Sequence, residues 1–232
     1  MTPFRNEWKY FCTDGEADLI CSRMARVLTQ DSHAGPDGTY SIHSLYFDDL
    51  YDACARGNES GDGIRSKYRI RCYGAQHGSL HLERKDKMYG RGRKLSCPLT
   101  SVTYDALLRG DAGALLWRDT APLLKSFAAL MMTRHFTPKV IIDYERTAFV
   151  EPITNVRVTI DRSISAAEDT GAFLSGSYVR YPLQSLRQNV LEVKFDDILP
   201  GYIKQLIEST RVQQTTFSKY YLGRKVLEGV YR

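Results

Sequence analysis

The sequence predicts an α+β fold, a mostly antiparallel sheet with helices around it, and three observations carry that prediction. Short segments of alternating polar and apolar residues outnumber the helical segments. Neighbouring segments are often joined by short loops, several of them rich in glycine. In five of the strands most of the charged residues share one parity.

In chain order, Phe4–Cys12 reads as a strand and Glu16–Thr29 as a helix with Asp14 as its cap. Strands come next at Ser41–Phe47, Lys67–Tyr73, Ser79–Lys87 and Arg93–Cys97, with glycine loops Gly57–Gly63, Gly74–Gly78 and Gly90–Gly92 as connections. Helices are expected at Ser101–Leu108 and Ala114–Thr133, the second carrying Leu115, Leu123, Leu124, Phe127 and Met131 to pack on the sheet. Lys139–Arg146, Val156–Asp161 and Val190–Phe195 read as strands, and Ser163–Arg180 as loop. Gly201–Ser209 and Ser218–Val230 read as helices, the last capped by Ser218. No repeat, low-complexity tract or proline-rich linker divides the chain, so one domain is expected over 1–232.

Thirty-two Lys and Arg against 27 Asp and Glu leave a net charge of +5, a modest excess whose meaning depends on where it is placed. Five cysteines form no CxxC pair, which favours reduced thiols over a zinc cluster or disulfide framework. No apolar stretch approaches the roughly 20 residues of a membrane-spanning helix, and the N-terminus lacks the apolar core of a secretory signal. A cytoplasmic protein is expected.

Parity is the informative feature. In Lys67–Tyr73, Lys67, Arg69 and Arg71 oppose Tyr68, Ile70 and Cys72. His81, Glu83 and Lys85 oppose Leu80 and Leu82, while Glu192 and Lys194 oppose Leu191, Val193 and Phe195. Arg5, Glu7 and Lys9 oppose Phe4, Trp8 and Tyr10, with Asn6 the exception, and Arg157, Thr159 and Asp161 oppose Val156, Val158 and Ile160. On one or two strands such a face simply meets water. On five, with helices covering the apolar side, a closed sheet would turn its charges inward and line a barrel. Unpaired buried charge is too costly for a packed core, so such an interior needs water, a polyanion and a metal to balance it.

The same residues carry a family resemblance. Arg5-Asn-Glu-Trp-Lys-Tyr10, Ser44-Leu-Tyr-Phe-Asp-Asp49, Lys67-Tyr-Arg-Ile-Arg71 and Leu82-Glu-Arg-Lys85 come first. Asp143-Tyr-Glu-Arg-Thr-Ala-Phe149, Val156-Arg-Val-Thr-Ile-Asp161, Leu191-Glu-Val-Lys194 and Phe217-Ser-Lys-Tyr220 come after them. Together and in this order they resemble the motifs of the VTC (vacuolar transporter chaperone) domain, of the triphosphate tunnel metalloenzymes. The resemblance implies an eight-stranded antiparallel barrel with helices packed outside and a C-terminal helix. It further implies a polyphosphate polymerase that moves the γ-phosphate of ATP, or another triphosphate, onto a growing inorganic polyphosphate. The implied cofactor is a divalent metal, Mn²⁺ before Mg²⁺.

Carried over by position, the resemblance assigns Arg69, Arg71, Lys85, Arg146 and Lys219 to the catalytic phosphate contacts. Lys9, Lys94, Arg157 and Lys194 become further phosphate ligands, with Arg91 and Arg93 as neighbouring alternatives to Lys94. Two more candidates come from placement alone: Tyr144, two residues before Arg146 on the same strand, can hydrogen-bond a phosphate, and Ser218 begins the final helix, whose N-terminus favours an anion. Glu192 is the implied metal-binding carboxylate. These residue types suit phosphoryl transfer, which needs positioning and charge stabilisation more than a protein nucleophile. Two other readings stay open: a non-catalytic polyphosphate-binding scaffold and a metal-dependent triphosphatase. The hydrolase branch carries ExExK on its first strand, and here Arg5 stands in place of one carboxylate. No nucleic-acid recognition motif occurs, so no nucleic acid is expected. A complete chain of this length would be a stand-alone catalytic domain, and a membrane-protein partner would not be visible in it. Asp48-Asp49 has the look of a metal pair but reads as a strand end and turn.

Overall fold

The computed structural model describes residues 3–74, 78–116, 121–185 and 187–229. Parts of the expected loop Gly74–Gly78 (with His77), of the expected helix Ala114–Thr133, and Val230 at the end of the last helix lie outside the described residues. The elements are β1 (Asn6–Thr13), α1 (Asp14–Met24), β2 (Thr29–Gln30), β3 (Thr39–Asp48), α2 (Ala53–Glu59), β4 (Ile64–Tyr73), β5 (Leu80–Met88) and β6 (Arg91–Leu99). Next come α3 (Ser101–Leu108), α4 (Gly113–Leu116), α5 (Pro122–Arg134), β7 (Thr137–Glu151), β8 (Val156–Ala167), β9 (Tyr181–Pro182), β10 (Gln188–Phe195), α6 (Gly201–Glu208), β11 (Gln213–Gln214) and α7 (Lys219–Leu227).

One antiparallel sheet takes every strand, in the order β11-β1-β10-β8-β7-β3-β4-β5-β6, with β2 added on β7 and β9 on β8. Among the described residues eleven strands therefore replace the expected eight, because three two-residue strands without any alternation pattern join the eight long ones. The pairing path is open between β11 and β6. At one corner the residue before β1 meets β6, where the Arg5 amide donates to the Gly92 carbonyl at 2.9 Å and the Gly92 amide returns a bond at 2.8 Å.

The parity reading places the apolar faces correctly. α1 and α6 cover β1, β8 and β10, burying Ile20, Met24, Ile203 and Ile207 with Val158, Leu191 and Val193. α3 and α5 cover β3 to β6, where Phe127 meets Phe47 edge-on at 5.2 Å and stacks on Tyr68 at 5.1 Å. Each fully buried aliphatic or aromatic side chain contributes about 1.5–3 kcal/mol. None of the five cysteines forms a disulfide among the described residues, and Cys12, Cys54, Cys72 and Cys97 are buried. No helix among the described residues is long and apolar enough to cross a membrane.

Several boundaries differ from expectation for identifiable reasons. Thr13, not Asp14, caps α1: its hydroxyl accepts from the Glu16 amide at 3.3 Å while the Glu16 carboxylate accepts from the Thr13 amide at 2.8 Å. α1 ends at Met24 and not Thr29, since Thr29 and Gln30 are drawn into pairing with Val150 and Phe149. The long helix expected at Ala114–Thr133 is two helices, and Pro122, with no amide hydrogen to donate, opens the second. The helix α2 falls where a glycine loop was expected. Its first amide, Ala53, donates to Asp49 at 2.9 Å, and the next two, Cys54 and Ala55, are satisfied at 2.9 and 3.0 Å by the buried carboxylate of Asp48, which also accepts from the Tyr220 hydroxyl. Asp48 is thus a structural carboxylate. β8 runs to Ala167 because a bulge at Ser163, with φ of 51°, shifts the register and breaks the alternation without ending the strand.

One placement reverses expectation. α7 lies on the charged side of the sheet, not outside it. Its Gly223 sits against Ile142 and Ala166, and Ile142 shares its face of β7 with Tyr144 and Arg146. A Cβ at Gly223 would collide with Ile142, so glycine is what lets the helix approach. Gly223→Val should therefore cost about 1–3 kcal/mol of stability, read as a lowered thermal midpoint. An unchanged midpoint would mean that the helix is not seated on this strand.

Candidate functional site

Between the charged face of the sheet and the N-terminal end of α7 lies a cavity of about 360 Å³. Among the described residues six lysines and five arginines line it, against two glutamates. Strand register gathers them. Lys67 of β4 stands opposite Lys85 of β5, which stands opposite Lys94 of β6. Lys9 of β1 stands opposite Glu192 of β10, and Glu7 opposite Lys194. Arg146 of β7 faces Asp161 of β8. Ser218 caps α7, its hydroxyl accepting from the Tyr221 amide at 3.4 Å, and Lys219 projects from the first turn.

Four carboxylates hold this wall in shape. Asp161 is fully buried and binds Arg146 at 2.6 and 2.8 Å and Lys219 at 2.6 Å. Burial would raise its pKa, but Arg146 and Lys219 overcome that and hold it at about 2. Glu83, 1% exposed, binds Arg69 at 2.6 Å, Lys94 at 2.7 Å and Arg71 at 3.7 Å. Against the same burial effect these three cations push its carboxyl well below the usual range. Glu7 binds Lys85 at 2.8 Å and Lys9 at 3.1 Å. Glu192 pairs with Lys194 and, at 3.6 Å, with Lys9. Burial and mutual repulsion would raise Glu7, yet Lys85, Lys9 and Lys194 keep it ionised.

The cations are not all equally compensated. Lys67 donates to Asn58 Oδ1 at 2.9 Å and to Ser218 Oγ at 2.8 Å and lies 5.5 Å from the centre of the Tyr220 ring. Burial first, then Lys9, Lys85 and Arg65, push its ammonium well below the ordinary lysine value. Lys194 falls to about 8, since burial outweighs Glu192 and Glu7. Arg71 reaches the Tyr144 hydroxyl at 2.8 Å and Arg69 the Tyr46 hydroxyl at 2.7 Å. Among the described lining residues the cations outnumber the carboxylates, so the cavity is electropositive.

Of the residues singled out from sequence, Lys9, Arg69, Arg71, Lys85, Tyr144, Arg146, Glu192, Lys194, Ser218 and Lys219 all line the cavity. Lys94 and Arg157 do not. Lys94 is turned to Glu83, and Arg157 is held by Asp31 at 2.5 Å and by the Tyr40 hydroxyl at 2.9 Å. Arg91 lines the cavity where Lys94 does not. Arg5 is also directed away, to Asp196 at 2.8 Å. Lys67, Lys87, Glu7 and Tyr46 are wall residues to which sequence reasoning gave no role. The signal for the first three was present, since Lys67 and Glu7 lie on the charged parity and Lys87 continues it two residues beyond Lys85.

The sequence model of the VTC domain matches residues 4–228. No curated protein matches the chain. Among solved structures, the PH1819 protein from Pyrococcus horikoshii OT3 shares 10% identity, with 97% of this chain and 98% of that one covered and a TM-score of 0.48. A candidate adenylate cyclase from Bacillus halodurans shares 9%, with 88% and 86% covered and a TM-score of 0.49. Likeness this slight carries no functional argument.

Proposed function

The chain belongs to the VTC domain family, and from that premise we propose that it is a polyphosphate polymerase. In this reading it transfers the γ-phosphate of ATP to a growing inorganic polyphosphate inside the cationic cavity. The observation that carries the proposal is the lining itself, eleven cations against two glutamates. A chain of phosphates needs many such contacts along its length. We further propose that the eight long strands wrap into a tunnel, with the Arg5–Gly92 bridge as the seam joining β6 to β1.

In the mechanism, Arg69, Arg71 and Arg146 grip phosphate oxygens through their forks, and Lys85 and Lys219 act as point charges on the transferring group. Glu83 and Asp161 orient those arginines before substrate arrives, which removes reorganisation from the reactive step. The polymer's own terminal phosphate is the nucleophile, so no protein nucleophile is needed. Glu192 and Glu7, on neighbouring strands and near enough to repel one another, fit a hard divalent cation that takes one or two carboxylates and completes its shell with phosphate oxygens and water. Such a metal, Mn²⁺ or Mg²⁺, would supply charge neutralisation between the phosphates. With a cation at Arg5 directed out of the cavity, activation of water for triphosphate hydrolysis is less well served.

The test is incubation with ATP and Mn²⁺. Polymer supports the proposal; free phosphate would make the protein a triphosphatase, and no product a binding module. A second measurement comes from the depressed lysines. Lys194 titrates near 8 in the empty cavity against an ordinary 10.5, so between those values the folded protein holds fewer protons than the unfolded chain. A bound polyanion restores the ammonium form. Triphosphate binding at about pH 8.5 should thus take up protons, seen as a buffer-dependent heat in calorimetry. Binding with no proton uptake would show that Lys194 stays charged when the cavity is empty.

A further inference from the structure

The rim of the cavity carries a side chain that phosphate recognition does not use. Tyr89 lines the opening, and its residue is 79% exposed. With Gly90 it forms the two-residue loop between Met88 and Arg91, and both positions have positive φ, 46° and 87°. That is the pattern of a type I′ hairpin loop, which normally begins with Asn, Asp or Gly. A bulky aromatic in this conformation is an outlier that costs of order 1 kcal/mol or more and calls for a reason. The ring is also positioned. The Tyr89 amide donates to the Gly63 carbonyl at 2.8 Å, and the ring edge lies 2.9 Å from where a Cβ on Gly63 would stand. Only glycine at 63 leaves that place open.

Tyr89 follows directly on Met88, the last residue of β5, and lines the cavity together with Lys85 and Lys87 of that strand. At about 3.3 Å per residue the end of β5 at Met88 lies roughly 10 Å beyond Lys85, and Tyr89 stands in the turn that follows. That is a span on the scale of a triphosphate tail with its ribose. Beside Lys87, Arg65 and Arg91 the wall adds an exposed aromatic ring. We infer that Tyr89 is the platform on which the base of a nucleoside triphosphate stacks while its phosphates occupy the cavity, an inference that rests on the reading of the cavity as a triphosphate site. Stacking on one aromatic ring is tolerant of base identity, so purine and pyrimidine nucleotides should both be accepted, with purines favoured by their larger face.

The experiment compares ATP with inorganic tripolyphosphate, by calorimetry, on the wild-type protein, Tyr89→Phe, Tyr89→Ala and Tyr89→Asn. Tyr89→Ala and Tyr89→Asn should weaken ATP about tenfold or more and leave tripolyphosphate within about twofold of wild type. Tyr89→Phe should retain ATP affinity. Tyr89→Asn should in addition raise the thermal midpoint, because Asn suits the left-handed position that Tyr strains. Equal losses for both ligands, or undiminished ATP binding in Tyr89→Asn, would overturn the platform while leaving the triphosphate site standing. Failure of both ligands to bind the wild-type protein would overturn the site reading and the platform with it.

Discussion

Glu192→Gln should reduce metal-dependent polymer synthesis by orders of magnitude while metal-free triphosphate affinity holds or rises. Glu192 is buried on the cationic face, paired with Lys194 and 3.6 Å from Lys9. A site for phosphate alone gains nothing from a negative charge there. The competing account is an ion pair that only positions the two lysines. The variant separates these accounts because Gln keeps the shape and removes the charge. Lys9 keeps Glu7 at 3.1 Å, so the wall should not collapse. If the carboxylate holds a metal against the transferring phosphates, its loss acts mainly on the transition state and lowers kcat more than affinity. Normal polymerisation by Glu192→Gln, or loss of its metal-free triphosphate binding, would assign Glu192 to the wall.

Removing Arg69 and Arg71 together should abolish binding of both triphosphate and polyphosphate. The structure adds a consequence that residue identity alone does not suggest. Both guanidinium groups hold Glu83, which is 1% exposed, and without them only Lys94 remains to pair with it. Stripping partners from a buried charge typically costs about 3–5 kcal/mol. Arg69→Ala with Arg71→Ala should therefore lose stability as well as affinity. Adding Glu83→Gln should restore much of the thermal midpoint, since the stranded charge is gone, but none of the binding. Titration calorimetry on the triple variant reads the phosphate contacts by themselves. Unchanged affinity in that folded triple variant would move the phosphate site elsewhere in the molecule.

Much of the site was legible because strand side chains alternate whatever the strand pairs with. Lys9, Arg69, Arg71, Lys85, Glu192 and Lys194 could be placed on one face from local pattern alone, and all of them line the cavity. Arg157 satisfied the same pattern and is nonetheless taken by Asp31 and Tyr40 from β3 and the segment before it. Parity says which face a residue occupies but not how far along the strand the cavity extends. The stretch after Asp161 has the pattern of a loop because the Ser163 bulge interrupts the period, although the strand's hydrogen bonds continue.

What the sequence determined by itself is the division of each strand into a charged and an apolar face, and with it the side that α1, α3, α5 and α6 cover. That division comes from backbone geometry between adjacent residues and needs no knowledge of partners. Which cations meet, which carboxylates neutralise them and where the last helix lies were decided only by the tertiary structure. Glu7 meets Lys194 through the pairing of β1 with β10 and Lys85 through a side-chain contact from β5, and Asp161 meets Lys219 only because α7 enters the charged side on Gly223. Electrostatic partners are chosen by distance after folding, and a sequence carries no local signal for a distance between residues so far apart along the chain.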